Sequence, residues 1–130
     1  MARGRILVVD DDQEIAQTLS VCLRDNGYDV TSACDEASCM DCVRRDDPDL
    51  VLLDLGISAG HGFLTLERLR VNPHWARLPV VVVTTRSQSS AGVLAMRAGA
   101  TACFESASVS QELLETISRL VADGGQQAVA

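Results

Sequence analysis

The sequence predicts an α/β fold, a parallel sheet with helices on both of its faces. Three observations carry this. Short apolar runs rich in branched residues recur along the chain, and segments with helical periodicity separate them. Two of the runs end in carboxylates: Ile6-Leu7-Val8-Val9 leads into Asp10-Asp11-Asp12, and Leu50-Val51-Leu52-Leu53 leads into Asp54. Gly, Asn and Pro stand at the joints between runs. Unbroken runs of Val, Ile and Leu suit strands covered on both faces, as parallel sheets are.

Strand-like runs are predicted at Arg5–Asp10, Tyr28–Ser32, Leu50–Asp54, Val80–Thr84 and Thr101–Phe104. Ile15, Leu19, Cys22 and Leu23 mark the first helix, and Cys39, Met40 and Val43 the second. Phe63, Leu66 and Leu69 mark the third, and Val93, Leu94 and Ala98 the fourth. Leu113, Leu114, Ile117, Leu120 and Val121 mark the fifth. Asn26-Gly27 ends the first helix, Asp47-Pro48 precedes the third strand, Pro79 opens the fourth, and Gly99 ends the fourth helix. Ser108-Val109-Ser110-Gln111 has capping-box spacing and is expected to start the last helix. Five βα units with right-handed crossovers fit a flavodoxin-like (βα)5 doubly wound sheet of strand order 2-1-3-4-5. One domain is expected over residues 1–122. Residues 123–130, with Gly124-Gly125-Gln126-Gln127, read as a flexible tail or the start of a linker.

A chain of 130 residues can bury a single core. Apolar content is 47% and aromatic content 3%, so aliphatic packing must dominate. A net charge of −7 argues against nucleic acid or an anionic membrane as partner and favours cations or basic protein surfaces. No apolar stretch is long enough to span a bilayer. The basic start, Met1 to Arg5, is followed by too short an apolar run for a signal peptide, so a cytoplasmic location is expected. The five cysteines are then reduced thiols. Cys39 and Cys42 form a C-x-x-C, which suggests a redox pair or half a zinc site. No second such pair exists, and this one falls inside a helix, so both cysteines read as small packing residues.

Carboxylates at the exits of two buried strands are costly unless they bind a cation or do chemistry. Asp54 is the candidate nucleophile toward a phosphoryl group. Both reactants are anionic, so Mg²⁺ is the expected cofactor. Asp11 and Asp54 are candidate ligands, with the Gly56 carbonyl from the following loop and Asp10 through a coordinated water. Thr84, ending the fourth strand, is placed to hydrogen-bond a phosphoryl oxygen. Asp12 reads as a helix-start residue, His61 as a solvated helix-start histidine, and Trp75 as packed against the loop before the fourth strand.

In this arrangement the chain resembles the receiver domain of two-component response regulators. The residues that carry the likeness are Ile6 to Asp12, Asp49 to Leu55, Gly62, Pro79 to Thr84 and Gly99-Ala100, and it extends to about Ala122. The resemblance implies that a histidine kinase or phosphotransfer protein phosphorylates Asp54. It also implies that the face made by helix 4, strand 5 and helix 5 then engages a downstream protein or output domain. The domain would not itself be an enzyme. The C-terminal third departs from the family pattern. Ser106-Ala107 stands where the family has a lysine and a cis-proline, and Cys103 replaces the switch aromatic. The chain contains no lysine: all 11 basic residues are arginine. Arg86, two residues past Thr84, is the nearest candidate cation for a phosphoryl oxygen, against the plainer reading of a solvated loop charge. Phosphoryl acceptance with atypical switching is the leading reading. The alternative is a pseudo-receiver, an interaction module that works without phosphorylation. A dehalogenase-type phosphatase would need a second acid where Asp54-Leu55-Gly56 has none. A flavin-binding loop would not carry Asp10-Asp11-Asp12, which repels phosphate.

Overall fold

Strand and helix alternate throughout the computed structural model, which describes residues 2–55, 61–84, 89–104 and 110–129. In chain order the elements are β1 (Arg5–Val9), α1 (Gln13–Asp25), β2 (Asp29–Ala33), α2 (Glu36–Asp46), β3 (Leu50–Asp54), α3 (His61–Val71), β4 (Val80–Val83), α4 (Ser89–Arg97), β5 (Ala102–Phe104) and α5 (Gln111–Val129). Every strand pairing is parallel, and the sheet order is β2-β1-β3-β4-β5, as the sequence predicts. Strand limits differ slightly from expectation. Asp10 and Thr84 lie one residue past β1 and β4, where the chain leaves the sheet, and β2 starts and ends one residue later than predicted.

Alternation along the central strands divides them between two cores. Leu7, Val9, Val51, Leu53, Val80 and Val82 face α2, α3 and α4, meeting Cys39, Val43, Leu66, Leu69, Trp75 and Ala95. Ile6, Val8, Leu50, Leu52, Val81 and Val83 face α1 and α5, meeting Leu19, Leu23, Leu113 and Ile117. The C-x-x-C cysteines are both buried in the first of these cores, where burial pushes the Cys39 thiol up to about 12. Trp75 is buried there too.

Caps fix the helix ends. The Asp12 side chain accepts the Glu14 and Ile15 amides at 3.0 and 3.3 Å and so starts α1 as expected. Gly27, at φ 94°, closes α1: its N–H donates to the Arg24 carbonyl at 2.9 Å, and Tyr28 N–H donates to the Leu23 carbonyl at 3.1 Å. Asp35 and Ser38 form a capping box on α2, a signal the sequence reading did not use. At the start of α5 the capping oxygen belongs to Ser110, which accepts the Leu113 amide at 3.1 Å. The expected cap, Ser108, lies outside the described residues. α5 continues to Val129 through Gly124 and Gly125, where the sequence reading begins a tail at residue 123. Glycine costs a helix interior about 1 kcal/mol relative to alanine, which is why that stretch reads as a helix end.

The fourth helix forms where Val93, Leu94 and Ala98 mark it, but Val93 and Leu94 are about half exposed, at 53% and 52%. Among the described side chains of α4, 92–97, only Ala95 is buried. α4 approaches β5 through small residues, with the Cys103 thiol beneath Gly92, and so turns its large apolar side chains outward.

Candidate functional site

Sheet register builds the site. Val9 pairs with Leu53, so the next residues, Asp10 and Asp54, leave neighbouring strands side by side. Asp54 pairs in turn with Val83, which brings Thr84 to the same end of the sheet. The Asp10 N–H donates to the Ala33 carbonyl at 3.0 Å, and the Thr84 N–H to the Phe104 carbonyl at 2.9 Å. Each functional side chain is thus held by backbone ladder bonds at the carboxyl end of a central strand. That end of an open α/β sheet is where ligands bind.

Carboxylate oxygens of Asp10, Asp11 and Asp54 all lie within 4.8 Å of one another. Asp10 and Asp54 are buried, at 2% and 5% exposure, whereas Asp11 is exposed. Thr84 is buried beside them at 5%. Asp10 Oδ1 accepts the Asp12 N–H at 2.9 Å, but its Oδ2 is buried with no hydrogen-bond partner. Burial raises the Asp10 pKa from 3.8 to about 6. The Asp12 amide works against that rise, and the neighbouring charge and side chain of Asp54 add to it. A proton shared with Asp54, or a bound cation, would satisfy that Asp10 oxygen.

The donor set fits a hard divalent cation. It consists of carboxylate oxygens alone, with two buried arms and one open to solvent. Asp10, Asp11 and Asp54 are the residues that would hold magnesium here, and the ion would bring positive charge to the carboxylates.

Gly62 controls how closely α3 approaches this site. A side chain there would bring Cβ within 2.6 Å of Leu55 Cα, 2.9 Å of Leu55 O and 3.0 Å of Asp54 O. All three are backbone atoms of the segment that carries Asp54, so only a glycine lets α3 pack against it. Gly62 stood out in the sequence only through the family pattern, because a close backbone approach leaves no periodic signature.

The structure therefore brings together Asp10, Asp11, Asp54 and Thr84. Gly56, Arg86 and Ser106 lie outside the described residues, as does the side chain of His61. Cys103 is half-buried on β5 and packs against the core under α4.

A five-stranded doubly wound parallel sheet with an acidic cluster at its switch point defines a flavodoxin-like α/β domain with a candidate cation site, and the comparisons with known proteins narrow it. The model of the family described as the response regulator receiver domain matches residues 6–118, and the chain belongs to that family. The chain is 40% identical over 98 residues to the alginate biosynthesis transcriptional regulatory protein AlgB of Pseudomonas aeruginosa, covering 75% of this chain and 21% of that protein. It is 37% identical over 98 residues to the DNA-binding response regulator MtrA of Mycolicibacterium smegmatis, covering 75% and 42%. The match thus covers less than half the length of these relatives. A response regulator from Chloroflexus aurantiacus superposes with a TM-score of 0.85 at 27% identity, over 92% of this chain and 98% of that one. The domain is accordingly a receiver of two-component signalling. Among the described residues no helix is long and apolar enough to cross a membrane.

Proposed function

We propose that the domain accepts a phosphoryl group on Asp54 in a magnesium-dependent reaction, from a histidine kinase or phosphotransfer protein. The observation that carries this reading is the meeting of Asp10, Asp11 and Asp54 within 4.8 Å, with Asp54 and Thr84 buried at adjacent strand ends. Attack by an Asp54 oxygen forms the O–P bond as the P–N bond of a phosphohistidine breaks, and the imidazole leaves with the electron pair. Asp11 and Asp54 would hold the metal, with the Gly56 carbonyl beside them and Asp10 through a coordinated water, and the ion would offset the charge of two anionic reactants. The Thr84 hydroxyl hydrogen-bonds a phosphoryl oxygen once the group is in place, and Arg86 offers the nearest cation in sequence. Buried strand ends keep the nucleophile in position, so no catalytic turnover is required of the domain, which acts as an acceptor and not as an enzyme.

Output then passes through the face of α4, β5 and α5 to a downstream protein or output domain. Ser106 replaces the lysine and Cys103 the aromatic that couple acceptor to face in the family, so phosphorylation alters that face only slightly. A net charge of −7 supports a domain that itself contacts neither nucleic acid nor membrane. Those two replacements also favour a second reading, a pseudo-receiver that binds its partner without phosphorylation. One experiment separates the readings. Incubation with Mg²⁺ and a small acyl phosphate, followed by intact-mass measurement, should add one phosphoryl group to the wild type and none to Asp54→Ala. No gain from any donor or kinase would establish the pseudo-receiver instead.

A further inference from the structure

Arg70 lies on the last turn of α3, at the amino ends of β4 and β5 and therefore at the opposite edge of the sheet from the acidic site. Its Nε donates to the Gly99 carbonyl at 2.7 Å. Its Nη1 donates to the carbonyls of Leu78 at 2.6 Å and Trp75 at 3.1 Å, and its Nη2 to Thr101 Oγ1 at 3.3 Å. Thr101 Oγ1 also accepts the Val80 N–H at 3.0 Å. No carboxylate pairs with Arg70 among the described residues. The cation instead serves backbone carbonyls from separate segments, a task suited to the planar five-donor fork of arginine. Its stem lies against Gly99, at φ 110°, where a Cβ would come within 2.7 Å of Arg70 Cγ.

The described side chains of the helix that ends at this clamp are mostly exposed. Ala95 is its one buried residue among the described side chains 92–97, while Val93, Leu94 and Met96 are exposed at 53%, 52% and 49%. Its C-terminal end is tied by a run of backbone bonds. Gly99 N–H donates to the Met96 carbonyl at 3.2 Å, Ala100 N–H to the Ala95 carbonyl at 3.0 Å, and Thr101 N–H to the Val80 carbonyl at 2.8 Å.

We propose that Arg70 makes the C-terminal end of α4 a fixed pivot. It joins the end of α3, the segment before β4 and the turn into β5 into one hydrogen-bonded unit, and the motion left to α4 is a swing of its N-terminal half about Gly99. Only the use of that swing in signalling rests on the output-face reading above; the pivot exists in the unphosphorylated domain.

Residue-resolved amide exchange on the unphosphorylated full chain tests it. In the wild type, Ala98, Gly99, Ala100 and Thr101 should exchange roughly tenfold or more slowly than Val93 and Leu94, after correction for intrinsic rates. Arg70→Met keeps the stem and removes the donors. It should speed Gly99, Ala100, Thr101 and Val80 by roughly tenfold while amides of β1 and β3 hold their rates. Uniform exchange along wild-type α4, or equal acceleration in β1 and β3, would overturn the pivot. Arg70→Lys and Thr101→Val form a milder arm with the same expected local pattern, and the wild-type gradient decides the case if Arg70→Met does not fold. Neither arm depends on Asp54 chemistry, so the pivot and the phosphoacceptor reading fail separately.

Discussion

Replacing Asp10 with asparagine removes one carboxylate from the cluster and keeps an oxygen for the Asp12 amide. Burial, opposed by that amide and reinforced by Asp54, raises the Asp10 pKa from 3.8 to about 6. A folded-state pKa above the unfolded one means that ionised Asp10 costs stability. The cost is absent below the unfolded value, grows as pH rises between the two, and is complete above the folded value. The gap between the two values corresponds to about 3 kcal/mol at neutral pH and about half that near pH 5, a figure that belongs to the Asp10–Asp54 pair as a unit. Asp10→Asn should therefore be more stable than the wild type in metal-free buffer at neutral pH, by about 2–3 kcal/mol. Magnesium should shrink the difference, because only the wild type keeps all three carboxylates. At a metal concentration one hundred times Kd, binding contributes about 2.7 kcal/mol. Urea denaturation from about pH 4 to pH 8, with chelator and with Mg²⁺, measures both effects. Equal stability at neutral pH in chelator, or a gap that does not narrow toward pH 4, would refute the account of a strained acid pair.

Two further outcomes are expected. Gly62→Ala should lower stability by about 1–2 kcal/mol despite alanine's better helix propensity, because its Cβ would collide with the Asp54–Leu55 backbone; an unchanged urea midpoint would contradict this. In the native state iodoacetamide should modify exposed Cys34 and leave Cys39 untouched, since Cys39 is fully buried with its thiol pushed up to about 12; mass-mapped labelling of both at one rate would reopen the redox reading of the C-x-x-C.

What the sequence made legible followed from patterns with physical periods. Leu50 to Asp54 reads as a doubly covered strand because nothing in it is polar until the acid that ends it, and the structure buries all of it. Asp10, Asp11 and Asp54 could be grouped because carboxylates at the exits of adjacent buried strands have few other uses. Other features left no signal in the sequence. Val93 and Leu94 mark the fourth helix correctly, but periodicity does not show that α4 turns them outward, with Gly92 over Cys103 and Ala95 buried. Arg70 drew no reading from the sequence. Its role depends on carbonyls from Trp75, Leu78 and Gly99, which a side-chain pattern cannot reveal. The capping-box spacing pointed to Ser108, whereas the capping oxygen seen among the described residues is that of Ser110, which the Leu113 amide reaches.

Burial on both faces has a consequence for how the central strands find their alignment. In a sheet with one wet face, a slip of one residue is punished because it turns apolar side chains into water. β1 and β3 lack that safeguard: Ile6, Leu7, Val8 and Val9 are all fully buried, as are Leu50, Val51 and Leu53, so a slip would only trade one apolar contact for another. Their acidic ends supply the missing penalty. Sliding β1 back by one step, toward its own N-terminus, would drag the Asp10 carboxylate between strands and into hydrocarbon, at a cost of several kcal/mol. Asp54 does the same for β3. The residues that make the site reactive thus also act as end stops, and a neutral apolar replacement at either position would loosen the alignment of the sheet as well as remove a ligand.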